Sequence, residues 1–235
     1  MASSVYLIPT VLYEGVTNCL PVYILDAIKN CSVLFVENER TARRFLKLLS
    51  KDLVIDSFEW FNMQEVTAET ETAFKQKIKE NKNIGIISEA GCPGVADPGQ
   101  KLVAIAQELN AAVKPLVGPN SILLALMASG MNGQKFQFVG YLPIDIAERA
   151  KAIKTLENES KQKNCTQIFI ETPYRNNQLL ETLLKTCHPQ TKVCVAVDLT
   201  SPQEFIRTMS VQDWKKKTPD MHKHPAIFLL SANSE

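Results

Sequence analysis

The sequence carries almost no net charge. Its 26 Lys and Arg against 25 Asp and Glu leave +1. That excludes a whole-molecule attraction to nucleic acid or to an acidic membrane, so any contact with RNA must come from a local basic patch. No pair among the six cysteines has C-x-x-C spacing, so a structural zinc site lacks its usual ligand pattern. No apolar run approaches the roughly 18–20 residues that span a bilayer, and no membrane association is expected. The opening MASSVYLIPT is too short and too lightly charged for a secretion signal, which predicts reduced thiols and a cytoplasmic protein. There is no G-x-G-x-x-G after the first strand, no Walker phosphate loop and no G-x-S-x-G, so ordinary dinucleotide binding, P-loop chemistry and a nucleophile elbow get no support. His222-Lys223-His224 has no acid or cysteine at matching spacing, and His188 beside Cys187 is not a pair by adjacency alone. No metal is expected.

What is present is an alternation of short apolar runs with stretches of helical period. Strands are predicted at Val5–Ile8, Ser32–Val36, Leu53–Ile55, Ile84–Ile87 and Val113–Val117, and helices at Leu20–Asn30, Glu39–Leu49, Thr67–Glu80 and Gln100–Leu109. In the second helix Phe45, Leu46, Leu48 and Leu49 are expected to face inward. The pattern continues with helices at Ile122–Met127, Ile146–Glu157 and Asn177–Thr186 and strands at Phe136–Val139, Gln167–Ile170 and Lys192–Val197. Phe205–Met209, Val211–Lys216 and Ala226–Leu230 close the chain. This predicts an α/β protein with two α/β domains, 1–117 and 118–235, the first with a mainly parallel sheet and the second partly mixed.

Four strand-end turns hold the residues suited to chemistry. In an open parallel sheet, ligands bind beyond the carboxyl ends of the strands. Ser88-Glu-Ala-Gly-Cys-Pro-Gly-Val-Ala-Asp-Pro-Gly99 lies at such an end, with three glycines, two prolines and two acids. Glycine lets backbone amides approach a ligand, and proline stiffens the loop. Asp97 before Pro98 reads as a helix-start signal, whereas Glu89–Cys92 reads as a ligand contact. Val117-Gly-Pro-Asn-Ser121 is a second such turn, where Asn120 or Ser121 either caps the next helix or borders a ligand at its free amides. Ile170-Glu-Thr-Pro-Tyr-Arg175 offers an acid, an aromatic for stacking and an arginine for phosphate, against a plain surface turn. Glu37-Asn-Glu-Arg40, with Arg43 and Arg44, reads either as a site or as a solvated helix start.

Taken in order, these turns resemble one family. An acid-Ala-Gly-x-Pro-Gly-x-x-Asp-Pro-Gly loop precedes Gly-Pro-x-Ser, a helix with Ser129-Gly130, Gly-Tyr-Leu-Pro and Glu-Thr-Pro-Tyr-Arg. The set is similar to the tetrapyrrole methylase superfamily of S-adenosylmethionine-dependent methyltransferases, nearest to its small-subunit ribosomal RNA (cytidine-2′-O)-methyltransferase branch, from about Tyr6 to Leu230. The resemblance implies S-adenosylmethionine held in a cleft between two α/β domains, and a homodimer. By position it implies cofactor contacts at Pro9, Glu89, Ala90, Gly91, Cys92, Asn120, Ser121, Ile122, Ile170, Glu171 and Ala226. The sequence departs from the branch at Glu89 and Asn120, where Asp and Ser are usual. It departs again at Val11-Leu12-Tyr13-Glu14-Gly15 in place of a Gly-Asn-Leu run, at Glu37-Asn38-Glu39-Arg40 for Glu-Asp-Thr-Arg, and at Tyr174 for His.

The expected chemistry is methyl transfer to a ribose hydroxyl, with small-subunit rRNA as partner. A ribose hydroxyl is weakly acidic, so a base or strong electrostatic help is needed. Glu14, Glu37 and Glu171 are the candidate bases, unranked, and Arg40, Arg43 and Arg175 the candidate phosphate ligands. Two alternatives stay open: the same chemistry on a small molecule such as a tetrapyrrole, and a cofactor-binding paralogue that has lost catalysis.

Overall fold

The structure is a computed structural model that describes residues 3–232. The chain divides into two compact units, Met1–Asn120 and Ser121–Glu235.

The first unit runs β1 (Ser4–Ile8), α1 (Tyr23–Lys29), β2 (Val33–Val36), α2 (Glu39–Leu49), β3 (Glu59–Asn62), α3 (Ala68–Lys79), β4 (Ile84–Ile87), α4 (Gly99–Glu108) and β5 (Ala112–Pro115). Its sheet has the order β3-β2-β4-β1-β5, and every pairing is parallel. Because β2 and β4 are covered on both faces, they read as unbroken apolar runs rather than alternating ones. The alternation is hidden in which core each residue joins. Leu34, Val36 and Ile87 pack with α1 and α2, while Val33, Phe35, Ile84 and Ile86 pack with α3 and α4. Gly85 is the exception in size. A Cβ there would stand 2.7 Å from both Ile8 Cδ1 and Leu34 Cδ2, so the neighbouring strands fill its side-chain space.

The register positions the turns. Ile8 and Val36 both align with Ile87. Pro9, Glu37 and Ser88, each one residue further on, therefore leave the sheet side by side, and three loops distant in sequence meet at one edge.

The second unit runs α5 (Ser121–Ser129), β6 (Phe136–Tyr141), α6 (Ile146–Lys163), β7 (Thr166–Ile170), α7 (Asn176–Thr186), β8 (Lys192–Val197), β9 (Phe205–Ser210), α8 (Val211–Trp214) and β10 (Ala226–Ser231). Its sheet order is β6-β7-β10-β8-β9, parallel between β6 and β7 and antiparallel elsewhere. The expected fold class holds: two α/β units, the first with a parallel sheet and the second with a mixed one.

Three expectations fail. Leu53–Ile55 is not a strand; a single 3-10 turn spans Ile55–Ser57, and the strand is Glu59–Asn62. As an edge strand β3 pairs with β2 alone, so its sequence Glu-Trp-Phe-Asn is not an apolar run; it is held by Phe61 stacked on Phe35 at 4.7 Å. Leu48 is not in the core. The buried face of α2 is Ala42, Phe45 and Leu46, and Leu48 is 46% exposed. Helix α6 runs six residues beyond its expected end, through a polar turn closed by Asn164 in the left-handed region.

All six cysteines are free, and no described helix is long and apolar enough to cross a membrane.

Candidate functional site

In the first unit the three converging loops are tied together by hydrogen bonds. Thr10 donates its N–H to the carbonyl of Gly91 at 2.9 Å, pinning the Ser88–Cys92 turn to the end of β1. Glu89 donates its N–H to Glu37 Oε2 at 3.0 Å, pinning the same turn to the end of β2. Thr41, in the first turn of α2, shares its hydroxyl proton between the Asn38 carbonyl at 3.0 Å and Glu89 Oε1 at 3.3 Å. This places the Glu89 carboxylate near the positive end of a helix, where a negative charge is favoured. Burial pushes the Glu37 carboxyl above its ordinary pKa, the Glu89 and Asp97 carboxylates push it further, and the Glu89 N–H partly offsets both.

The turn itself is fixed by Asp97, whose two oxygens accept the N–H groups of Gly94 at 2.8 Å and Gly99 at 2.7 Å. Asp97 therefore braces the loop and the start of α4, as its place before Pro98 suggests. Gly91 has φ +76°, and a Cβ on it would stand 3.2 Å from Leu12 Cδ2 and 3.3 Å from the Pro119 carbonyl. Among the described residues the N–H groups of Ala90, Gly91 and Cys92 donate to no partner, whereas the flanking ones of Glu89 and Gly94 do. Three amides in a glycine turn are thus left to a ligand.

The turn has two sides. On one, Cys92 Sγ lies 3.5 Å and 3.4 Å from the carbonyls of Gly118 and Pro119 and bonds the Asn120 side chain, and burial raises its thiol pKa. Gly118 is required there, since a Cβ would overlap the ring of Pro9. On the other side opens a cavity of about 510 Å³ whose apolar wall includes Leu12, Phe45 and Leu48 and whose rim carries Glu14, Arg44 and Glu89. Glu14 and Arg44 pair at 2.7 Å, both well exposed.

The second unit groups the remaining predicted residues. Ser121 and Ile122 open α5. Ile170 aligns with Ile227 across β7 and β10, next to Ala226. Glu171 is buried at the end of β7. Its Oε1 accepts the N–H of Thr172 and meets Arg175 Nη2, both at 2.7 Å, and its Oε2 lies 3.9 Å from Nη1 of the fully buried Arg149. Arg175 is thus occupied by Glu171, and Arg43 by Glu39, Asp56 and the face of Trp60. Arg40 is exposed. Tyr174 is exposed, edge-on to His222 at 5.9 Å, and His224 Nδ1 sits 2.6 Å from Asp198. No group of three metal-ligating side chains occurs among the described residues.

Sequence reasoning missed Arg149, which lies in the first turn of α6 and shows no motif, and the cavity face of α2. The one available signal for that face was an apolar residue, Leu48, in excess of the stripe that α2 needs.

Comparison with known proteins bears on these turns. Residues 15–214 match the family model of Tetrapyrrole (Corrin/Porphyrin) Methylases. Over 129 residues the chain is 36% identical to Ribosomal RNA small subunit methyltransferase I of Halalkalibacterium halodurans, covering 54% of this chain and 43% of that protein. Over 232 residues it is 27% identical to the protein of the same name from Vibrio cholerae serotype O1, covering 97% of this chain and 77% of that one. The chain thus spans less than half the length of the first relative. In structure it is similar to uroporphyrin-III C-methyl transferase from Thermus thermophilus complexed with S-adenyl homocysteine, with a TM-score of 0.59, 15% identity and 97% of each chain covered. That likeness concerns the fold alone, but the family match covers most of the sequence and includes the Glu37 loop and the Ser88–Cys92 turn with its free amides. The chain belongs to the tetrapyrrole (corrin/porphyrin) methylases.

Proposed function

We propose that the protein is a cytoplasmic S-adenosylmethionine-dependent methyltransferase that 2′-O-methylates a ribose in small-subunit ribosomal RNA. The observation that carries this reading is the likeness, over 97% of the chain, to a relative named for that RNA, whereas the likeness to the tetrapyrrole enzyme is at the level of fold.

The turn fits the cofactor. Its three unpartnered amides and its positive-φ glycine form a backbone cradle, and Glu89 offers a carboxylate to hydroxyl or amino groups. Pro9, Ala90, Gly91, Cys92 and Asn120 border this cradle; in the second unit Ser121, Ile122, Ile170, Glu171 and Ala226 are proposed as cofactor contacts on the family likeness alone. When bound, S-adenosylmethionine supplies a methyl group already activated by a sulfonium, so the protein's task is chiefly alignment. Of the proposed bases, Glu37 is committed to holding the Glu89 N–H and Glu171 to its arginines. Glu14 lines the cavity in an exposed, readily exchanged pair with Arg44, and it is the base this reading assigns.

A homodimer belongs to the same reading. Leu123 and Met127, one turn apart on α5, leave apolar side chains exposed on the second unit, as do Tyr141, Ile144 and Ile146 elsewhere on it, and we assign a second copy to cover such surface.

Calorimetry with S-adenosylhomocysteine tests the cofactor, with binding in the micromolar range expected. No binding at high micromolar ligand would refute the methyltransferase reading. Mapping ribose methylation in small-subunit rRNA with and without the gene tests the substrate, and an unchanged map overturns it in favour of a small-molecule acceptor.

A further inference from the structure

The Ser88–Cys92 turn is a partition. Gly91 and Cys92 press against the Gly118–Pro119 turn, while Glu89 and Ala90 border the cavity of about 510 Å³. A volume of that size is in the usual range for a small-ligand site. Methyl transfer needs donor and acceptor to meet within about 3–3.5 Å in line. If the cofactor lies on the amides of the turn, the space reached across the partition belongs to the acceptor.

The chemistry of the walls says what kind of acceptor. Leu12, Phe45 and Leu48 present apolar surface, and Leu48 is 46% exposed on a helix whose core stripe is complete without it. Around this surface stand the carboxylates of Glu14 and Glu89, which offer acceptors, and the hydroxyl oxygens of Thr10 and Thr41, whose protons are given to the Ser88 and Asn38 carbonyls and which can accept. Apolar faces with a polar edge describe a nucleobase taken out of its stack. A tetrapyrrole rimmed with carboxylates fits poorly, because Glu14 and Glu89 repel it. Of the two cations at the rim, Lys47 donates to the carbonyls of Lys51 and Leu53, both at 2.9 Å. Arg44 is held by Glu14 alone, in an exposed pair that is weak and easily exchanged for a phosphate.

We infer that this cavity receives one unstacked nucleotide of an RNA strand, its base against Leu12, Phe45 and Leu48 and its neighbouring phosphate on Arg44. The inference rests on the methyltransferase reading and names the acceptor subsite within it.

The test uses the full chain with S-adenosylhomocysteine and a fluorescein-labelled single-stranded oligoribonucleotide containing cytidine. Leu48→Trp fills the cavity mouth from an exposed position, and Arg44→Gln removes the phosphate ligand without adding a negative charge. Each is expected to weaken RNA binding about tenfold, the scale of one lost base or phosphate contact, with the affinity for S-adenosylhomocysteine unchanged. The unchanged cofactor affinity reports an intact fold. RNA affinity within twofold of the parent in both variants overturns the inference and leaves the methyltransferase reading standing. Failure of the parent to bind S-adenosylhomocysteine overturns that reading first. Methyl transfer to a tetrapyrrole and not to RNA overturns both the substrate and this subsite.

Discussion

The carboxylate of Glu37 accepts the backbone N–H of Glu89 at 3.0 Å, so the residue that ends one strand holds the loop that ends its neighbour. Its carboxyl titrates above its ordinary value, chiefly because of burial. A carboxyl raised in the folded state binds more protons there than in the unfolded chain. Stability therefore falls as pH rises from the unfolded value of about 4.3 through the raised one. Glu37→Gln keeps an acceptor for the Glu89 N–H and has no charge to desolvate, so it should flatten this part of the curve and be at least as stable as the parent at pH 7. Glu37→Ala orphans the N–H and should cost about 1–2 kcal/mol. Urea denaturation between pH 4 and 7 checks both; identical slopes for parent and Gln variant would contradict the assignment.

Asp97 closes the loop from inside. Replacing it by Ala leaves the Gly94 and Gly99 N–H groups without their acceptor and should destabilise by roughly 2 kcal/mol, at about 1 per bond. Asn should lie between, since its amide group can accept for one glycine but presents a donor to the other. Thermal unfolding of the pair gives the order; Asn and Ala variants of equal stability would argue against two separate bonds.

Arg149 and Glu171 form a buried pair of unequal partners. The three guanidinium nitrogens of Arg149 have no hydrogen-bond partner among the described protein groups, and its counter-charge is Glu171 at 3.9 Å. Removing Glu171 strands two guanidinium groups, one fully buried, and should cost about 3–5 kcal/mol. Removing Arg149 as Met leaves Glu171 still bonded to Arg175, so that change should be close to neutral. Chemical denaturation of Glu171→Ala and Arg149→Met decides it, and a larger loss for Arg149→Met would reverse the assignment.

Gly118 and Gly91 carry different constraints. Gly118→Ala drives a methyl into the ring of Pro9, which has no rotamer to escape by, and should cost about 1–3 kcal/mol. Gly91→Ala pays for a positive φ, about 1–2 kcal/mol, and crowds Leu12 and the Pro119 carbonyl. Both variants should also weaken S-adenosylhomocysteine binding measured by calorimetry, and unchanged affinity in both would move the cofactor site elsewhere.

Much of this was legible in the sequence. Apolar runs such as Val33–Val36 and Ile84–Ile87 belong to strands buried on both faces, and in a parallel sheet such runs persist without alternation. Asp97 announced its role by standing before a proline. What stayed hidden was what depends on distant partners. The edge strand Glu59–Asn62 is held by Phe35 and by one neighbour, so Leu53–Ile55 outbid it as a pattern. Leu48 matched the helical period of α2 as well as a core residue would, and only the position of the Thr10–Gly15 loop makes its side chain a cavity wall. The pairing of Glu37 with Glu89 joins residues 52 apart, which no local rule reaches.

Gly85 has a role that its size alone discloses. In β4 the larger residues Ile84 and Ile86 face one core and Gly85 with Ile87 the other. If β4 slid by one residue, an isoleucine would be driven into the place where even a methyl meets Ile8 and Leu34 at 2.7 Å. The central strand is therefore keyed like a lock tumbler. A misthreaded sheet cannot close over it, and the chain that does close delivers Glu89 to Glu37 and Thr41 every time.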